Sequence, residues 1–232
     1  GPCILAMHPH GVLPLGSLIN IATEASDFSN RFPALANRAT IAATGCFLIP
    51  FYRDLILAGG VVDCSRFSVE QMIQNKKTVC VYPGGTQEAL YANPDTETLD
   101  LLRKRGFLEL CMKYDIPVVP CYTFNEVDHF SQVPYADLQK KHPMIMRFRV
   151  NFQLLTGVMM PFLKHLFPRT PRSSGNKLVT VVGSPLKLRH VENPSEADLD
   201  QSMQEYIAAL RKLYDTYAPI YSSNKSRKLI IV

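Results

Sequence analysis

Two short strand-like runs most constrain what this chain can fold into. Cys3–Met7 empties into His8-Pro9-His10-Gly11, and Thr78–Val81 empties into Tyr82-Pro83-Gly84-Gly85, with Glu88 just behind. Runs this short, rich in apolar and β-branched residues and closed by Gly and Pro, read as strands. A base, a flexible Gly-rich turn and a carboxylate, each at a strand end, are what an active site at a sheet edge requires. Elsewhere, strand-like and helix-like segments alternate. Leu15, Leu18, Ile19 and Ala22 recur at helical spacing. Ala39–Ala43 reads as a strand, Phe51–Ala58 as a helix stopped by Gly59-Gly60, and Val61–Asp63 as a strand. Ser68 is placed to cap a helix over Val69–Asn75. Phe107, Leu110, Cys111 and Tyr114 mark an amphipathic helix. Ile116–Phe124 is a strand whose Pro117 and Pro120 predict an edge position or an irregular ladder. Leu178–Gly183 is the last clear strand, and Ser195 opens a long helix with Leu199, Met203, Tyr206, Ile207, Leu210 and Leu213 on one face. The alternation predicts one α/β domain, a largely parallel sheet flanked by helices.

Two stretches fall outside the pattern. Tyr91–Leu99 reads as a polar loop around Pro94. Val133–Arg172 mixes apolar and basic residues with Pro134, Pro143, Pro161, Pro168 and Pro171. It reads either as an insertion lying on a membrane, with Phe152, Leu154, Leu155, Val158, Met159, Phe162 and Leu163 toward lipid, or as a segment packed on the core or on a missing segment.

With 232 residues the chain has the length of one domain with a full core. The most apolar stretches, Phe47–Val62 and Leu154–Phe167, are broken by proline and charge and do not reach bilayer length. Gly1-Pro2 leads straight into a strand, so the expectation is a piece of a longer protein with a membrane anchor upstream. A net charge of +5 and a pI near 8.9 suit an anionic lipid or a phosphorylated ligand, and equally an ordinary solvated surface. No nucleic-acid partner is expected. Cys3, Cys46, Cys64, Cys80, Cys111 and Cys121 show no C-x-x-C spacing and read as reduced core residues rather than zinc ligands or disulfides.

Histidine is the usual general base near neutral pH, with an unperturbed pKa of about 6.5. One of His8 and His10 is expected to point into a site and the other to support the turn. The base would take a proton from a hydroxyl as that oxygen attacks an activated carbonyl. Taken alone, the tetrapeptide also reads as a turn with satisfied histidines. No carboxylate adjoins it, so no metal set is expected. Gly84-Gly85 permits close backbone approach, and N–H groups there could hold a phosphate or an oxyanion. Such turns are common, and Glu88 gains interest only beside a histidine. Gly-x-Ser-x-Gly, Walker and Rossmann signatures are absent. Arg103-Lys104-Arg105, ahead of Gly106-Phe107, places positive charge at a helix N-terminus, against the dipole. A bound anion, such as the phosphates of coenzyme A, would offset it, with Arg66 as a second contact; a solvated charge run is the alternative.

In these blocks the chain resembles the type-two diacylglycerol acyltransferase family, which also holds monoacylglycerol and wax-ester acyltransferases. His8-Pro9-His10-Gly11 and Pro83-Gly84-Gly85-Thr86-Gln87-Glu88-Ala89-Leu90 carry the likeness. So does Arg103–Phe107, continuing through Pro117-Val118-Val119-Pro120 to Phe124-Asn125-Glu126. Ile49–Arg53, Asp63–Arg66 and Val181–Leu186 extend it across nearly the whole chain, in order.

The resemblance implies a glycerolipid-acyltransferase-like fold, with an upstream membrane hairpin ahead of this single domain of residues 1–232. It implies acyl transfer from acyl-CoA, without a cofactor, to a neutral-lipid hydroxyl. The expected place is the cytosolic face of the endoplasmic reticulum membrane, and lipid droplets. Distant relatives use His-x4-Asp, but here the acid positions are Leu13 and Leu15. Glu88 is therefore the expected substitute, with His10 the first choice of base and His8 the second. Gly11, Pro83, Gly84, Gly85, Arg66, Arg103, Arg105, Gly106, Phe107 and Glu126 are the expected substrate contacts. The usual Phe-Gly-Glu-Asn reads Phe124-Asn125-Glu126-Val127. The expected reaction makes triacylglycerol from diacylglycerol with no acyl-enzyme. The alternatives are a monoacylglycerol or wax-alcohol acceptor, or a non-catalytic lipid-binding protein of the same fold.

Overall fold

The computed structural model describes residues 1–92, 96–130, 135–156 and 176–232. Among these, the strands are β1 (Ile4–His8), β2 (Arg38–Ala42), β3 (Val62–Asp63), β4 (Thr78–Val81), β5 (Glu97–Leu99), β6 (Val118–Phe124), β7 (Val179–Val182) and β8 (Leu229–Ile231). One sheet has the order β3-β2-β4-β1-β6-β7, and β5 pairs with β8 apart from it. Neighbours in the large sheet are parallel except β6 and β7. Every residue of β1, β4 and β6 is buried, because helices cover both faces. Ile4 and Ala6 face a core with Val79, Tyr122, Leu108 and Leu210, while Leu5 and Met7 face a second with Ile21, Phe28 and Cys80. Each large aliphatic side chain buried this way contributes roughly 1.5–3 kcal/mol.

The long helix is Glu196–Tyr221. Ser195 Oγ accepts from the Asp198 amide (3.2 Å) while Asp198 accepts from the Ser195 amide (3.0 Å), a reciprocal cap. Leu199, Met203, Tyr206, Leu210 and Leu213 lie on its buried face.

Several expectations shift. The helix expected over Val69–Asn75 begins earlier, at Arg66, because Ser65 rather than Ser68 is the cap and accepts from the Ser68 amide. Strand β6 is interior and regular in spite of its prolines. Pro120 still offers its carbonyl to the Gly183 amide (2.8 Å), and the side lacking an N–H faces the chain just beyond the end of β7. The predicted loop Tyr91–Leu99 contains β5, whose partner lies at residues 229–231. Cys3, Cys80, Cys111 and Cys121 are core residues, Cys46 is half-buried, Cys64 is exposed, and all are free.

Within Val133–Arg172, the described part includes the helix Pro143–Thr156, which buries Met146, Arg149 and Gln153. Val158, Met159, Phe162 and Leu163, and the side chains of Leu154 and Leu155, lie outside the description. Among the described residues no helix is long and apolar enough to cross a membrane.

Candidate active site

Strands β1 and β4 are adjacent and parallel, with Ala6 opposite Val81. The histidine turn and the Pro83-Gly84-Gly85 turn therefore open side by side at the carboxyl edge of the sheet, where parallel α/β sheets place their ligands. The two histidines have different surroundings. His8 is 1% exposed, and its Nε2 lies 2.9 Å from the Tyr206 hydroxyl of the long helix. Burial pushes its pKa down to about 3, so it is neutral in the fold. Its Nδ1 has no hydrogen bond.

His10 is half-buried at the rim. Its ring packs edge-on to Tyr82, 5.1 Å between centroids, and its Nδ1 lies 3.0 Å from the Gly11 carbonyl. A carbonyl can only accept, so Nδ1 carries the proton and Nε2 keeps its lone pair. Nε2 makes no hydrogen bond among the described residues. Burial lowers this pKa and so favours the neutral form, while the Gly11 carbonyl pulls it upward.

Glu88 is beside the histidine turn, but it forms no hydrogen bond to either ring among the described residues. Its Oε1 accepts from the His10 backbone amide (2.7 Å) and its Oε2 from the Asp100 amide (3.3 Å). The expected acid–imidazole pair is thus replaced by a carboxylate that holds backbone. The cause is local: the short helix Gly85–Glu88 folds back onto Gly84. A Cβ at Gly84 would run into Glu88 Oε2 and lie 2.8 Å from Glu88 Cβ, so only glycine leaves the space.

Glu126, an expected substrate contact, has the matching role at the other end of the loop. Its two oxygens accept from the amides of Leu15 (2.8 Å) and Gly16 (2.7 Å). Residues 10–16 are therefore clamped at both ends by buried carboxylates. Burial raises both Glu88 and Glu126 to about 8, against the downward pull of the amides they accept. Both follow a strand-end turn, and that position was the sequence signal for them. Gly11 adopts φ +61°, and a Cβ there would meet Glu126 Cγ at 2.9 Å.

The remaining expected contacts divide. Gly85 donates its amide to the Tyr82 carbonyl (3.0 Å), Pro83 is partly exposed, and Gly84 is buried. Arg66 is held by Glu109 (2.7 Å) and Glu70 (3.2 Å). Arg105 is held by Asp200 (2.5 Å) and Glu196 (2.6 Å). The positive charge at the start of the helix Gly106–Lys113 is thus answered by carboxylates of the long helix, not by a required anion. Arg103 is exposed and forms no ion pair among the described residues. Gly106 is exposed, and Phe107 is buried edge-on against Tyr206. Sequence reading had placed Tyr206 only as a core position; its polar tip on an apolar face was the available signal. It missed Tyr82, whose hydroxyl bonds to Ser17, and Gln153, which donates to Thr86 Oγ1 (3.1 Å).

The departure at Asn125 is accommodated. Asn125 sits at φ +69°, the conformation that suits glycine, and asparagine tolerates it. Its Nδ2 donates to the carbonyls of Lys177 (2.8 Å) and Tyr221 (3.0 Å), and its Oδ1 accepts from the Ser223 amide (2.8 Å).

A sequence profile described as Diacylglycerol acyltransferase matches residues 2–232. The chain is 30% identical to Diacylglycerol O-acyltransferase 2B of Umbelopsis ramanniana, over 100% of this chain and 68% of that protein. It is 31% identical to the human Acyl-CoA wax alcohol acyltransferase 1, over 99% of this chain and 70% of that one. It is 28% identical to Diacylglycerol O-acyltransferase 2 of Dictyostelium discoideum, over 92% and 65%. No solved structure matches. Likeness of this extent makes the chain an acyl-CoA-dependent acyltransferase. It belongs to the diacylglycerol acyltransferase family.

Proposed function

We propose that the chain moves a fatty acyl group from acyl-CoA to the hydroxyl of diacylglycerol, forming triacylglycerol, with His10 as the base. The observation that carries this is the His10 ring at the sheet's carboxyl edge, with Nδ1 on the Gly11 carbonyl and Nε2 without a hydrogen bond among the described residues. Nε2 takes the hydroxyl proton as that oxygen attacks the thioester carbon. The carbon–sulfur bond then breaks, and the imidazolium returns the proton to the departing coenzyme A thiolate. A thioester is already activated, so no acyl-enzyme and no cofactor are needed. The Gly84 amide is the candidate to hold the oxyanion, since that of Gly85 is engaged with Tyr82. His8, buried against Tyr206, supports the turn.

The acceptor is the open half of the reading. Relatives named for wax alcohols are as similar as those named for diacylglycerol, so a wax alcohol or a monoacylglycerol is the second reading. A silent lipid-binding protein has less support, because the turn at Asn125 keeps its geometry. The order of motifs along the strands supports a glycerolipid-acyltransferase-like fold. The substrate class supports residence at the cytosolic face of the endoplasmic reticulum membrane and on lipid droplets. The deciding experiment incubates the protein in membranes with labelled acyl-CoA and a panel of diacylglycerol, monoacylglycerol, long-chain alcohol and water. Labelled triacylglycerol is the expected product; wax ester or free fatty acid in its place would reassign the acceptor, and no product at all would favour the silent protein.

For acyl-CoA, Arg103, exposed and without an ion pair among the described residues, is a candidate cation. Arg103→Ala is expected to raise KM about two- to five-fold with kcat unchanged, the size of one exposed charge contact. Arg66→Ala, removing a cation already held by two carboxylates, leaves KM in place. Steady-state kinetics with varied acyl-CoA checks both, and an Arg66 effect larger than that of Arg103 would reverse the assignment.

A further inference from the structure

The helix Tyr52–Ala58 buries none of its seven residues. Just before it and within it, Leu48 is 75% exposed, Phe51 87% and Leu55 69%. A helix this short is not stable in water by its own propensity and normally rests on a packed apolar face. Here the apolar side chains face outward. Phe51 adopts φ +63°, a conformation that bulky residues avoid.

A second set of exposed apolar residues lies beside the first. The helix Pro143–Thr156 packs against the turn Thr44–Leu48, so both belong to one side of the molecule. Met146, Arg149 and Gln153 are its buried face, leaving Met144 85% and Phe148 60% exposed. Lys140, Lys141 and Arg147 are exposed beside them and form no ion pair among the described residues. On the first helix the acidic Asp54 is answered by Arg53 at 3.7 Å. Gln153, hydrogen-bonded to Thr86, ties this side to the Gly84-Gly85 turn.

The geometry points to a bilayer-docking face made by Leu48, Phe51, Leu55, Met144 and Phe148, which takes an anionic phospholipid surface. The apolar side chains enter the acyl boundary, and Lys140, Lys141 and Arg147 meet the phosphates. Apolar residues beside unpaired cations match the two layers of such a surface; a protein partner would have to supply both an apolar and an acidic patch. The site's mouth then opens toward the phase that holds a neutral-lipid acceptor. Only this last point rests on the acyl-transfer reading.

The chain has no tryptophan, so Phe51→Trp in the full chain is a single tryptophan reporter, excited selectively over the tyrosines. The probe is a phosphatidylcholine vesicle with about a third phosphatidylserine, enough to give a negative surface potential. Emission is expected to move to shorter wavelength on adding vesicles and to be quenched when their acyl chains are brominated. Phe51→Asp with Leu55→Asp is expected to reduce flotation about ten-fold or more, circular dichroism confirming the fold. Lys140→Glu with Lys141→Glu is expected to weaken binding to the anionic vesicles at least about five-fold, and pure phosphatidylcholine binding much less. Emission that ignores vesicles, or a folded Asp variant that floats as before, overturns the proposal. Short-wavelength emission without vesicles that depends on protein concentration also overturns it, by assigning the face to a second copy of the chain. The assay contains no acyl-CoA, so its failure leaves the proposed chemistry at His10 standing.

Discussion

His10→Ala is expected to lower kcat for acyl transfer by about a hundred- to ten-thousand-fold, the usual contribution of a positioned general base, with KM for acyl-CoA little changed. His8→Ala is expected to act differently. It leaves the Tyr206 hydroxyl buried without its 2.9 Å partner. An orphaned buried hydroxyl costs about 1–3 kcal/mol, which for a chain of this size is several degrees of melting temperature. Turnover per folded molecule should stay within about ten-fold of the parent, below the loss of a base. Kinetics and thermal melts of the two variants, measured together, decide the matter. Equal and small kinetic losses would remove histidine base catalysis, and a large kcat loss at His8 with an active His10 variant would exchange their roles.

The second large effect is on the pH dependence of stability. Glu88 and Glu126 carry pKa values raised from 4.5 to about 8 in the fold. Between those limits the folded state holds protons that the unfolded chain has released. Their stabilisation is full at low pH and is lost as pH rises toward 8, at about 1.4 kcal/mol per pH unit for each group. His8 works in the opposite sense: its pKa falls from 6.5 to about 3, so its contribution is lost as pH falls below 6.5. The two slopes partly cancel between about pH 4.5 and 6.5. From about pH 6.5 to 8 the carboxylates act alone among these three groups, and stability should decline. Urea unfolding across that window should show the decline in the parent chain. It should be flatter in Glu88→Gln and Glu126→Gln, and flattest in the double variant. A slope that survives the double variant would mean that neither carboxyl is protonated in the fold. Glu126→Gln should also lose some absolute stability, because one amide oxygen cannot replace two acceptors at Leu15 and Gly16.

Much of the frame could be read before the fold was known. Strands buried on both faces appear as continuous apolar runs, which is why Thr78–Val81 was placed to the residue and the runs at β1 and β6 nearly so. The long helix declared itself through Ser195, whose cap partner Asp198 is only three residues away. What stayed hidden depends on partners far along the chain. β5 has its pair at the opposite end of the sequence, so its few residues read as loop. Arg66 and Arg105 read as free cations because Glu109 and Asp200 meet them only after the helices pack. Glu88 was placed beside the histidines, but its target is a backbone amide, which no side-chain motif announces. The apolar side at Leu48, Phe51 and Leu55 read as an ordinary helix because periodicity does not tell which side chains the fold leaves uncovered.

The tie between His10 Nδ1 and the Gly11 carbonyl has a consequence for which bonds such a base can break. A carbonyl dipole steadies an imidazolium less than a carboxylate would, so with His10 as the base the protonated ring exists only briefly. That suits a leaving group that departs as a weakly basic anion. A thiol has a pKa of about 8.5 and needs little help from an acid. An alkoxide is far more basic and would need a sustained proton donor at its oxygen. With His10 as the base, the loop would therefore favour opening a thioester over attack on the oxygen ester that results. The direction of transfer itself is set by the free energy of the thioester, which no hydrogen bond of the histidine changes.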